Sequence, residues 1–147
     1  MKWEIYIDGE QGLTYVRCSG TYHPDDYINI LEDMAAHPDF TAGMKIIIDY
    51  RGVDGSKFGF DSVMKLARRA DKYDAILGGG YSAAIVDSDV GYGLIRMYLQ
   101  SVNWVKTVGG VKSGRKRMVF NSPEKAKAFV HLPLSYAFPI PPKSLSA

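Results

Sequence analysis

One cysteine, Cys18, is too few for a disulfide framework, and its solitude suits a reducing compartment. No apolar run approaches the roughly 18 residues that a membrane-spanning helix needs. The opening MKWEIYIDGE alternates as a strand does and lacks the apolar centre of a signal peptide, so a cytoplasmic protein is expected. The three histidines, His23, His37 and His131, lie far apart. The acids next to His23, Asp25 and Asp26, suit the positive end of a helix better than a metal corner, and no metal is expected. GGGYSAA and GGVKSGRK place their glycines before strands, and the second lacks a lysine followed by serine or threonine. Both therefore fail the context that a phosphate loop requires. No serine or cysteine has a positioned base that the pattern can nominate. The chain is accordingly expected to be no enzyme and to use no cofactor.

What is present is an ordinary globular composition, 46% hydrophobic and 23% charged over 147 residues, enough for one domain with a sound core. The net charge of +2 is unevenly spread. Residues 1–89 carry 9 basic and 15 acidic side chains, and residues 90–147 carry 9 basic and one acidic, Glu124. Such asymmetry can mark a surface for anions, or simply let two halves neutralise each other.

Period-two alternation predicts strands over WEIYID and LTYVRCSG, joined as a hairpin. Pro24 opens a helix with Tyr27, Ile30, Leu31, Met34 and Ala35 inward, and Pro38 ends it. KIIIDY and YSAAIVD are short apolar runs of the kind buried on both faces of a parallel sheet. Between them lies a glycine-rich loop and a helix with Val63, Met64, Leu66, Ala67 and Ala70 inward, Asp61 as a candidate cap and Gly78 to Gly80 as its stop. Ser88 or Asp89 caps a further helix over Val90–Val102, and a turn-rich link leads to the strand RKRMVFN. A last helix takes Ser122 as cap and Pro123 at its first position. The order ββαβαβαβα predicts a single-domain α/β sandwich, its central mixed, largely parallel sheet flanked by about four helices. Residues 1–132 make the domain, and residues 133–147 a proline-rich tail that runs extended or is partly disordered.

The hairpin, IIIDYRGVDGSKFGFDSVMKLARRA, GGGYSAAIVDSDVGYGLIRMY and RKRMVFNSPEKAKAFV together resemble the STAS-like family, relatives of the bacterial anti-anti-sigma factors, over roughly Trp3–Leu132. The resemblance implies an α/β sandwich, no catalysis and regulation through protein–protein contacts. A subset of that fold class is compared with lipid-carrier domains, which implies apolar ligands or membrane contact. Anti-anti-sigma factors are phosphorylated on a serine in an Asp-Ser-Ser-Gly-like turn. The corresponding region here offers Ser56 and Ser62, neither within the full motif.

GYGLIRMYLQSVNW carries one charge, Arg96, in fourteen residues. A helix apolar all round needs a cover on each face. Tyr92, Leu94, Ile95, Tyr98 and Leu99 are the candidate residues, with three candidate covers: the apolar tail, a second copy of the chain, or an apolar ligand or bilayer. Arg96, Lys112, Arg115, Lys116 and Arg117 would form the anion-binding rim of the last arrangement. The aromatics that stack single-stranded bases do not interleave with this basic run, so a nucleic-acid partner is not expected. The leading expectation is a non-catalytic binding or regulatory domain, a homodimer through that helix, acting on a protein partner. The alternative is a carrier or sensor of an apolar or anionic lipid with peripheral membrane contact.

Overall fold

The computed structural model describes residues 1–109 and 114–140, without the side chains of Phe60 and residues 101–109. Two antiparallel strands, β1 (Lys2–Asp8) and β2 (Leu13–Thr21), form the expected hairpin. Helix α1 (Asp26–Ala36) leads to β3 (Lys45–Asp49), which pairs parallel with β2. A two-residue strand, β4 (Val53–Asp54), pairs with the end of β2 inside the stretch expected to be all loop. Then follow α2 (Phe60–Ala70), a 3-10 turn at Asp71–Tyr73, the single-turn α3 (Asp74–Leu77), β5 (Gly80–Ile85), α4 (Asp89–Gly109), β6 (Arg115–Phe120) and α5 (Pro123–Phe129). The sheet runs β1-β2-β3-β5-β6, antiparallel at the first pairing and parallel at the rest. This is the mixed, largely parallel α/β sheet that the pattern predicts.

Crossovers between parallel strands are right-handed almost without exception. Because β2, β3, β5 and β6 advance across the sheet in one direction, their connecting helices gather on one face. Val16, Cys18, Ile46 and Ile48 pack there against Ile30, Leu31 and Met34 of α1 and Val63, Leu66 and Ala67 of α2. The opposite face, with Leu13, Tyr15, Ile47, Ala83 and Ile85, is covered by Ala126 and Val130 from α5 and its exit, by Leu132, and by Tyr136, Phe138 and Ile140. β2 is therefore buried on both sides, although its sequence alternates. The hairpin places it one strand in from the edge.

Local chemistry sets most boundaries. Ser122 Oγ accepts the Lys125 backbone N–H at 3.3 Å and Pro123 takes the first position of α5. Ser88 Oγ accepts the Gly91 N–H at 3.0 Å and caps α4. Asp61 lies inside the first turn of α2, since the cap position is Gly59. Gly80, at φ +128°, is a position where a Cβ would stand 2.9 Å from the Gly43 carbonyl oxygen. Helix α4 continues seven residues past the expected Val102, through much of the stretch that reads as a turn-rich link.

The described part of the tail does not reach α4. Residues 133–140 lie on the other sheet face, where Phe138 stacks on Tyr15 with centroids 4.6 Å apart and the Tyr136 hydroxyl donates to Asp8 Oδ2 at 2.7 Å.

Candidate functional site

The site begins with small residues in β5. Side chains alternate along a strand, so Ser82, Ala84 and Val86 face α4 while Ala83 and Ile85 join the opposite core. Serine and alanine leave that part of the floor low. Helix α4 packs on α2 and β6, not down onto β5. The result is a cavity of about 430 Å³ between α4 and the sheet.

Its walls are mostly apolar. Leu94, Ile95, Tyr98 and Leu99 hang from α4, above Ile46, Ile48 and Ala84 of the sheet. Exposed Asp54, Ser56, Asp87 and Val90 surround its mouth, beyond the carboxyl ends of β3 and β5. That is where open parallel sheets hold ligands. Asp87 Oδ2 accepts the Gly52 N–H at 2.8 Å, and Asp54 Oδ1 accepts the Ser56 N–H at 2.9 Å. Four tyrosines line the interior: Tyr22 just after β2, Tyr27 on α1, Tyr50 just after β3 and Tyr98 on α4. The Tyr27 and Tyr98 rings meet edge to face at 5.4 Å. Burial, above all, raises the Tyr50 and Tyr98 phenols well beyond the usual range, so both stay neutral.

The cavity gathers the expected apolar residues Leu94, Ile95, Tyr98 and Leu99, so the surface they form turns inward. Tyr92 is half-buried beside them, and Val90 is 73% exposed.

Among the described residues the expected anion-binding set Arg96, Arg115, Lys116 and Arg117 does not come together as one open rim. Arg115 is 6% exposed, and its guanidinium donates to the carbonyls of Met44, Leu77, Gly78, Gly79 and Tyr81 and to Ser82 Oγ. It fastens the turn before β5 and has no face left for a ligand. Arg117 is ion-paired with Asp74, itself 2% exposed, and donates to the Arg115 carbonyl. Lys116 is exposed, with Nζ 5.6 Å from the centroid of the Tyr81 ring, and Arg96 is exposed on α4. Lys112 lies outside the described residues. Ser56 is exposed at the cavity mouth, and Ser62, half-buried, sits in the first turn of α2 with its N–H bonded to the Gly59 carbonyl. Among the described residues no group of His, Cys, Asp and Glu could hold a metal, and no helix is long and apolar enough to cross a membrane.

A second cluster was invisible in the sequence. Asp49, fully buried, accepts from the Tyr15 hydroxyl at 2.6 Å, from Arg17 Nη1 at 3.1 Å and from Arg51 Nη2 at 2.7 Å. Burial alone would raise its carboxyl, but the bonds from Arg51 and Tyr15 outweigh it and hold the group below the usual range. Every member is satisfied, and the cluster lies on the face opposite the cavity, so it ties β2 to β3.

No family model and no curated protein matches the chain. Among solved structures it is similar to an uncharacterized protein from the DUF3478 family with a SpoIIAA-like fold, from Shewanella loihica PV-4, at 16% identity over 87% of this chain and 93% of that one, with a TM-score of 0.44.

Proposed function

We propose that this chain is a non-catalytic binding domain that takes a small, mostly apolar molecule between α4 and the sheet. The observation that carries the reading is the 430 Å³ cavity beneath a helix whose apolar side chains face into it. Such a volume lies in the range of small-molecule sites, which are mostly apolar with a few polar groups. It also answers why α4 is so poor in charge: part of its apolar surface lines a space that the chain's own side chains leave unfilled.

The test uses the neutral dye N-phenyl-1-naphthylamine, whose fluorescence rises in apolar surroundings. Wild type brightens the dye saturably. Ala84→Phe, which raises the cavity floor, abolishes the signal while the variant melts at or above the wild-type temperature. A wild-type protein that leaves the dye dark, or an Ala84→Phe variant that binds it equally well, removes the reading. Native mass spectrometry of gently purified protein checks for a retained molecule.

Regulation through protein contact is the second reading, favoured by Val90, an apolar side chain 73% exposed at the mouth. For the homodimer form of that reading, Val90→Asp lowers the mass seen by light scattering. An unchanged mass removes self-association through this point.

A further inference from the structure

We propose that two copies of this chain join edge to edge through β1, the strands running antiparallel with Ile5 facing Ile5 across a two-fold axis. β1 ends the sheet. It pairs with β2 on one side, and among the described residues no other element bonds to its backbone. Such an edge presents a row of N–H and C=O groups that can receive a further strand. Proteins commonly blunt an edge with a proline, a bulge or a very short strand. β1 is seven residues long, holds no proline, and keeps an unbroken register to β2 from Lys2 to Asp8. No residue of β1 lines the cavity, so the join leaves the cavity of each copy untouched.

The side chains of β1 fit a second copy of themselves. They alternate between the two sheet faces. Trp3, Ile5 and Ile7 are half-buried, the first two against the core under α1, while Lys2, Glu4 and Tyr6 are exposed on the other face. A two-fold axis normal to the sheet keeps each face continuous across the join, which restricts the registers. Centred on Glu4, the pairing sets two carboxylates against each other. Centred on Tyr6, it sets Glu4 against Asp8 twice. Centred on Trp3 or Ile7, it pairs only three residues of each strand. Centred on Ile5, all seven residues pair, and Lys2 stands opposite Asp8 of the second copy at both ends. The same register lays Trp3 beside Ile7 and Ile5 beside Ile5, so the half-buried apolar side chains of both copies form one row. Like charges directly opposite destabilise an antiparallel pair, whereas opposite charges and aromatic–β-branched pairs stabilise it. The longest overlap is therefore also the one that charge and burial favour. Trp3 is already held by its Nε1–H bond to Asp33 Oδ2 at 2.9 Å, so less of its freedom remains to be lost on pairing.

The experiment uses the full chain. Light scattering after size-exclusion chromatography is expected to give twice the chain's mass at about 100 μM, where a micromolar dimer is nearly complete, and to fall towards the single mass on dilution. Lys2→Glu, which faces a glutamate with Asp8 at both ends, is expected to weaken the dimer about tenfold, and the exchanged pair Lys2→Glu/Asp8→Lys to restore it. Ile5→Cys is expected to cross-link two copies under mild oxidation, since directly opposed residues have Cα atoms about 4.5–5.5 Å apart, within disulfide reach. Tyr6→Cys is expected not to, although the position is more exposed, because its counterpart stands two residues along the second strand and beyond that reach. Thermal melting checks that each variant is folded. A wild-type protein that stays a monomer at about 100 μM overturns the proposal and leaves the cavity reading standing. A dimer that cross-links through position 6 and not through position 5, or one that Lys2→Glu leaves unchanged, overturns this register. A dimer that Val90→Asp dissociates while Ile5→Cys fails to cross-link it joins at the cavity mouth, and β1 is then not the interface.

Discussion

The hydroxyl of Tyr15 donates to the carboxylate of Asp49 over 2.6 Å, deep within the sheet and on the face away from the cavity. Arg17 and Arg51 complete the shell around that acid, so a fully buried charge is compensated on every side. A group whose carboxyl is held below its usual range stabilises the fold above the unfolded value, about 4, and loses that contribution as the pH falls through its folded value. Asp49→Asn is therefore expected to lower stability at pH 7 by about 3 kcal/mol, because it strands Arg17 and Arg51. Urea unfolding at pH 7, 5 and 3 checks this. Wild type weakens below about pH 4, and the gap between the two proteins narrows there, because protonation of Asp49 removes what the substitution has already taken.

Arg115 separates charge from shape. Burial is the first cause that lowers its guanidinium, to about 10, with the neighbouring Arg117 second, yet at neutral pH it is still protonated and fully bonded. Arg115→Lys keeps the charge and loses the fork that reaches several carbonyls at once. It is expected to cost about 2–4 kcal/mol in chemical unfolding. A lysine variant as stable as wild type would mean that the charge alone matters at this position.

Two glycines of α4, two residues apart, are expected to behave in opposite ways. A Cβ at Gly93 would meet nothing within 4 Å, whereas one at Gly91 would stand 2.8 Å from the capping Ser88 Oγ. Gly93→Ala is expected to stabilise the protein by up to about 1 kcal/mol through helix propensity alone. Gly91→Ala gains nothing or loses stability, because it disturbs the cap. Parallel thermal melts compare the two.

Cys18 is fully buried in β2, and burial, the main cause, pushes its thiol up to about 12. A thiol reagent such as 5,5′-dithiobis(2-nitrobenzoate) is expected to leave the native protein unmodified at pH 8 and to react at once in 6 M guanidinium chloride. Rapid labelling of the native protein would place the thiol within reach of solvent.

Sequence patterns carried the architecture wherever a signal was local. The Ser122-Pro123 start of α5, the hairpin alternation and the apolar KIIID each name their own structure from a few neighbouring residues. What escaped depends on partners distant in the chain. Asp49 lies 34 residues from Tyr15, and nothing near either one announces the other. Arg115 and Arg117 read as a wet basic patch because the carbonyls of Leu77 to Gly79 and the acid of Asp74 come to them only through the β5–β6 pairing. The apolar residues of α4 were legible, but the space beneath them was not. It follows from Ser82 and Ala84, which look like ordinary strand residues until a helix is seen resting on α2 and β6 above them.

The Phe138–Tyr15 stack bears on how the protein is made. The second strand is translated well before the aromatic ring that seals one side of it. Until then the Leu13, Tyr15 and Ile47 side of the nascent sheet stays bare, and contacts of such wide separation form slowly. The growing polypeptide therefore passes through a stage with a sticky sheet surface, when chaperones have most to protect.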